Sequence, residues 1–264
     1  MYTTSRAAFH ALIGTDSALG EENRAALAQE HLVGGEWLVN TVSLDDQPLR
    51  GIDWEDLDVV EQTSRLALEQ MWANREIIRT ALDVVADTPE LLALCERPDP
   101  VTLGEVGQSL DKIVLYADPE SGVRVRLHVF WNGCYDLPHN HRWTFASMVL
   151  KGHFRHFIYG DQGDDDAAFP LPFTALHARL ERQGTTYALH HRMMHALVAE
   201  ENTVSLVIRG PALKDYSFLV DTKTGERIYH FGADKESPEK EARRKMTPEA
   251  LRDLSARFSE WGLF

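Results

Sequence analysis

Asp136–Gly160 reads DLPHNHRWTFASMVLKGHFRHFIYG and carries four of the chain's 12 histidines. Two of them, His139 and His141, flank Asn140. On a strand, residues i and i+2 share a face, so this pair can aim two imidazoles at one point. A divalent metal wants at least one ligand more, and a catalytic metal keeps positions open. The third candidate must come from another strand. LHHRMMHALV, Leu189–Val198, offers His190, His191 and His195. Taken alone, an H-x-H pair also suits a histidine-bearing surface loop.

Strand-like runs surround this stretch. VRVRLHVFW, Val123–Trp131, alternates strictly, with Val123, Val125, Leu127 and Val129 on one side and Arg124, Arg126 and His128 on the other. That polar side is expected to be the outside of the fold, the alternative being a pocket wall. Further short runs recur between turn signals: HFRHFIYG, TTYALHH, NTVSLVIRGP and DYSFLVDTKTGERIYHF. Many short strands at regular spacing suggest a sandwich or small barrel.

The residues before about 110 follow a helical period instead. From Trp54 to about Val85, Leu57, Val60, Leu68, Met71, Ile78, Leu82 and Val85 fall near one helical face, with Asp53 as the expected N-cap. TPELLALCERPDP is expected to be a short helix capped by Thr88. Two more helices are expected between Thr3 and Val39, broken near Gly20 and at Gly34–Gly35. TPEALRDLSARFSEWGLF closes the chain as an amphipathic helix. The expected plan is α+β: a helical region over 1–110 packed on a barrel over 111–232, then a helical tail over 233–264. The linking stretch ERPDPVTLGEVGQSLDK is short and poor in glycine and serine, which disfavours a free helical domain.

The chain has 264 residues and a formal net charge of −14. Such a charge repels a phosphate backbone, so no nucleic-acid partner is expected. No apolar run reaches the length of a membrane span, and the first residues lack the pattern of a signal peptide. Cys95 and Cys134, the only cysteines, stand in unlike contexts, which argues for a reducing cytoplasm. A monomer or homodimer is expected.

The spacing around the histidine pair resembles the first motif of the cupin superfamily, G-x5-H-x-H-x3-4-E-x6-G. Gly133, His139, His141 and Gly152 stand at the matching places, and Phe145 replaces the glutamate. HHRMMH has the length of the second motif, P-x-G-x-x-H, with His195 at the ligand position and His190 and Arg192 in place of proline and glycine. The resemblance covers roughly 111–232 and implies a double-stranded β-helix, or jelly-roll, barrel. Three histidines without a carboxylate look like the three-histidine cupins, of which cysteine dioxygenase is the best known. Two features of that group are absent. Ala146 stands where its crosslinking cysteine would be, and its S-x-H-x-Y strand becomes Ser205, Val207 and Arg209.

The resemblance implies Fe(II) held by His139, His141 and His195, with zinc or manganese as alternatives and His191 as a substitute for His195. It also implies a small carboxylate-bearing substrate, such as an amino acid or a derivative, oxidised with O2. Arg209 is the candidate carboxylate anchor. Tyr159 is the candidate acid–base group, since it and His156 cannot both face the pocket unless a bulge intervenes. A non-redox metal cupin, an isomerase or a ligand-sensing module, is the alternative of a different class. A metal-free interaction protein is disfavoured, because three converging imidazoles are costly to bury without a purpose. No flavin or nicotinamide fingerprint is present, and nothing indicates a 2-oxoglutarate co-substrate. Cys134 is read as a small buried residue, and His10, His31 and His177 as structural or surface residues in helices or loops.

Overall fold

The computed structural model describes residues 49, 51–97, 110–131, 134–161, 169, 171–231 and 238–264, with backbone alone at 134–135, 238 and 240–241. The two expected N-terminal helices, His10, His31, Gly133 and the side chain of Cys134 lie outside the described residues.

Helices α1 (Leu57–Ala73), α2 (Glu76–Ala86) and α3 (Pro89–Leu92) come first. Strands β1 (Leu110–Ala117), β2 (Arg124–Phe130), β3 (Cys134–Tyr135), β4 (Phe145–Lys151), β5 (His153–Asp161) and β6 (His177–Arg182) follow. Then come β7 (Thr186–Leu189), β8 (Met193–Ala199), β9 (Thr203–Arg209), β10 (Tyr216–Val220) and β11 (Arg227–Phe231). Helices α4 (Pro238–Arg243) and α5 (Pro248–Glu260) end the chain. No helix among the described residues is long and apolar enough to cross a membrane.

A five-stranded sheet has the order β1-β2-β9-β4-β7, and a four-stranded sheet the order β3-β8-β5-β6. Every pair of neighbours is antiparallel. From β2 to β9 the chain passes back and forth between the two sheets, which is jelly-roll topology. Strands β10 and β11 form a separate hairpin.

Alternation along each strand divides the apolar residues into two layers. Val125, Leu127 and Val129 of β2 join Val204, Leu206 and Ile208 of β9 and Ala146, Met148 and Leu150 of β4. These pack under Val60, Leu68 and Met71 of α1, Leu82 of α2 and Leu251, Leu254 and Phe258 of α5. The helices therefore cover the outer face of the five-stranded sheet. Its inner face carries Phe130, Phe145, Val149, Tyr187, Leu189 and Val207, which meet Phe154, Leu197 and Ala199 of the other sheet. Arg124, Arg126 and His128 alternate with the helix-covered residues, so they line this inner space and not the outside. The expectation fails because helices bury the valine side of β2, leaving its polar side to face the second sheet.

The long helix is two. Asn74 leaves the helical conformation at φ −126°, ψ 82°, with its N–H bonded to the Gln70 carbonyl. Asparagine readily competes for backbone hydrogen bonds and suits a helix end. The N-cap of α1 is Asp56, whose carboxylate accepts from the N–H groups of Asp58 and Val59. Asp53 instead accepts from Glu55 N. The cap of α5 is Thr247, accepting from Ala250 N. Thr88 precedes α3, but its hydroxyl donates back to Val84 O at 2.6 Å. His177, expected in a loop or helix, opens strand β6.

Two glycines permit close approaches. Gly152 turns β4 into β5 at φ +74°, and a Cβ there would stand 2.5 Å from Thr203 Oγ1. Gly210 lies directly under the indole of Trp54, where a Cβ would overlap the ring. Its N–H donates to Thr144 O at 3.0 Å.

Candidate metal centre

His139 and His141 lie in the extended segment that leads into β4, while His195 sits within β8. An isolated antiparallel bridge joins His139 to His195, with N–H···O bonds of 2.8 and 2.9 Å in the two directions. A second bridge joins His139 to Leu219. Between the two histidines Asn140 points the other way, buried, its Oδ1 accepting from Phe218 N at 2.9 Å. The H-x-H alternation is thus pinned on both sides, although the residues belong to no long strand.

The ring nitrogens of His139, His141 and His195 that can serve as ligands lie within 4.8 Å of one another. The hydrogen bonds behind them fix two tautomers. His139 Nδ1 lies 2.9 Å from Leu137 O, a carbonyl that only accepts, so Nδ1 carries the proton and Nε2 is bare. His156 Nδ1 lies 3.1 Å from the Glu181 carboxylate and must donate to it. In the neutral ring His156 Nε2 therefore accepts, and it receives the Nδ1 proton of His195 at 2.9 Å. That leaves His195 Nε2 bare, 2.7 Å from His141 Nε2. Adjacent nitrogens on a six-coordinate ion with bonds of about 2.1 Å are about 3 Å apart. The donor set fits a divalent cation.

Electrostatics favour the neutral rings a metal needs. Burial, then the neighbouring His139, holds His141 and His195 well below the usual histidine range. Burial also lowers His156, although the Glu181 carboxylate pulls the other way. Glu181, itself only 2% exposed, is also held by Arg179 Nε. Four side chains on β5, β6 and β8 thus run Arg179–Glu181–His156–His195 toward the centre. Such outer partners fix ring orientation and raise ligand basicity.

Phe145 is buried with its ring 4.9 Å edge-on from His141 and 6.0 Å from His195. Its ring thus borders two of the three histidines. Ala146 belongs to the layer under the helices and faces away from the histidines.

Arg209 is buried on the inner face, with its guanidinium 4.5 Å over the Trp143 ring. Its Nη1 donates to Gly210 O at 2.7 Å and Gly122 O at 3.3 Å. Tyr159 is not brought to the histidines. His156, three residues earlier, faces His195, so alternation turns Tyr159 the other way, and it stacks on Phe173 at 4.6 Å in a separate cluster with Phe169, Met194 and Phe218. His191 also stands apart, its Nδ1 3.2 Å from Thr144 Oγ1. It forms a second group with His190 and Glu55. There His190 Nδ1 accepts from Arg192 N, which leaves the proton on Nε2 to donate to Glu55 at 3.3 Å. That pairing is a satisfied hydrogen bond and not a vacant ligand.

Glu181 and Arg179 escaped sequence reading, since both lie on a strand whose pattern is almost wholly exposed. His156 was visible only as one of two candidates; its in-phase spacing with the buried Phe154 is the signal that favours it.

No protein-family model matches the chain, and no curated protein matches it. Solved structures with similar strands are cupin-fold proteins. KdgF from Halomonas sp. is 19% identical, covering 39% of this chain and 80% of its own, at a TM-score of 0.30. An RmlC-like cupin from Shewanella frigidimarina is 17% identical over 42% of this chain and 84% of its own, at 0.32. A cupin 2 conserved barrel domain protein from Rhodopseudomonas palustris is 18% identical over 49% and 79%, at 0.36. The fold assignment rests on the strand order itself, which is that of a jelly roll, the class that includes cupins.

Proposed function

We propose that this chain is an Fe(II)-dependent oxygenase of the three-histidine, cysteine dioxygenase-like kind. Its substrate is a small carboxylate-bearing molecule, an amino acid or a derivative of one, oxidised with O2. The observation that supports this reading is the set of hydrogen bonds that strips Nε2 of His139 and His195 of its proton where both meet His141. When bound, the ion supplies a charge of +2 on three neutral ligands and a redox centre between substrate and O2.

The chain's own residues do the rest. Arg179 and Glu181 keep His156 in the tautomer that accepts from His195, so the His195 proton stays on Nδ1. Phe145 keeps a fourth protein ligand and bulk water off one side of the ion. Arg209, held against Trp143, presents its remaining donors to a carboxylate.

Three neutral nitrogens suit zinc equally, so a non-redox metal enzyme or sensing module is the second reading. Metal content after purification with and without O2, followed by oxygen uptake with amino acids and thiols, separates the two. Iron with substrate-dependent uptake, lost in His139→Ala, His141→Ala and His195→Ala, supports the oxygenase. Zinc with no uptake overturns it, and absence of metal under both conditions overturns both readings.

A further inference from the structure

The inner faces of β2 and β9 hold two arginines that the metal centre does not use as ligands. Arg126 is 7% exposed and Arg209 6%, and neither forms an ion pair with a carboxylate within 4 Å among the described residues; Glu96, which acts on Arg126 from further off, is itself paired with Lys112 and Arg244. Both guanidinia lie over one ring, that of Trp143, Arg126 at 5.4 Å and Arg209 at 4.5 Å. The same ring is 6.2 Å from His141, so the arginines stand one side chain away from the metal ligands.

Their donors are not used up. The Nε of Arg126, the Nε of Arg209 and Nε2 of His128 are buried without a hydrogen-bond partner among the described residues. A buried donor left unpaired is costly because its hydration is lost with nothing in return, and more so when charged. Two buried guanidinia on one inner face, each with an unpaired Nε, also repel. Burial and the neighbouring Arg126, Arg124 and Arg142 push Arg209 down to about 7, while burial and Arg124 push Arg126 to about 10. A guanidinium in a protein keeps its proton, and Glu96, shared with Lys112 and Arg244, is the one carboxylate among the described residues that acts on Arg126, so cations outnumber anions here. One carboxylate would pair with one of these cations and leave the second without an ion-pair partner.

We infer that Arg126 and Arg209, with Trp143 between them and the histidines, form a binding site for a doubly charged oxyanion group of the substrate. The shared chemistry is two negative charges on oxygens that accept from the two forks, as in a dicarboxylate or a phosphate. Its use as a substrate site rests on the metal-centre reading above; the anion site itself does not.

The test uses the full-length chain stripped of metal by chelator, titrated calorimetrically with succinate, inorganic phosphate, acetate and neutral succinamide. Succinate or phosphate should bind at least about tenfold more tightly than acetate, the difference expected for one further charge-assisted hydrogen-bonded pair. Succinamide should not bind. Tighter succinate marks a dicarboxylate group and tighter phosphate a phosphoryl group. Arg126→Gln and Arg209→Gln should each weaken the preferred dianion by about 10–100-fold with the fold retained by circular dichroism. If either variant fails to fold, the ranking of anions by the unaltered protein still decides. Acetate binding as tightly as the dianions, or no anion binding, overturns the inference and leaves the orphan nitrogens to water. A parallel Fe(II) and Zn(II) titration separates the two readings: anion binding without metal binding sinks the oxygenase and keeps this site, and the reverse sinks only this site.

Discussion

His156 Nε2 stands 2.9 Å from His195 Nδ1, on the side opposite the nitrogen that faces His141. His156 is therefore a positioning residue, acting on the ion only through His195. His156→Ala and Glu181→Gln should each weaken divalent metal binding by about 10–100-fold. Competition with a chromogenic chelator measures this. Unchanged affinity in both variants, with the fold intact, would show that His195 needs no partner.

A carboxylate in place of Phe145 would reach the centre from the side now closed by its ring. Phe145→Glu should raise affinity for manganese relative to zinc, since a hard oxygen donor joins three imidazoles. The same change should destabilise the metal-free protein by about 3–5 kcal/mol, because a large apolar ring is lost and a carboxyl group is left in its place. Urea unfolding with and without Mn(II) reads both effects, and a metal-free variant as stable as the parent would count against the placement.

Acid should destabilise the protein from the first histidine titration onward. Burial, then Arg126, pushes His128 from 6.5 down to about 3, so between these values the unfolded chain binds the extra proton. Stability from this group is complete above about pH 6.5 and is lost as pH falls toward 3. His141, His195, His156 and His191 shift in the same direction. Asp111 opposes them: burial raises it from 3.8 to about 6, so its contribution is present below 3.8 and lost as pH rises through 6. With five groups against one, the melting temperature of the metal-free protein should fall between pH 7 and pH 5. His128→Asn should flatten that slope; a slope left unchanged would place the titration elsewhere.

Gly152→Ala should lower stability by about 2–4 kcal/mol, combining left-handed backbone strain with a clash on Thr203. Because the turn joins β4 to β5 well away from the ligands, metal affinity measured on the folded variant should stay within about twofold of the parent. A neutral effect on unfolding would mean that the turn relaxes at little cost.

How much of this was legible varied with where burial came from. The jelly-roll strands announced themselves where one side is apolar and meets helices, as in β2 and β9. The same alternation misled about direction, because the polar side of β2 lines the inner space instead of facing water. Sequence assigns periodicity but not which partner covers which face. His139 and His141 were legible as a pair through their spacing, and His195 through the resemblance to the second cupin motif. The chain behind His195 was not, since His156, Glu181 and Arg179 come from two strands paired across a long connection. β6 inverts the usual pattern: Glu181 is its one buried residue and Leu180 is exposed. Alternation allows only one of His156 and Tyr159 to face the histidines and does not say which; the structure turns His156 inward and Tyr159 away.

The indole of Trp54 resting on Gly210 ties the start of the helical layer to the end of the strand that bears Arg209. Gly210 in turn holds Thr144, next to Trp143. Residues that never meet a substrate thus set the height of the arginine and of the ring beneath it. On the proposed function, changes around Trp54 would shift substrate preference while leaving the three imidazoles in place, so selectivity and metal binding could diverge separately.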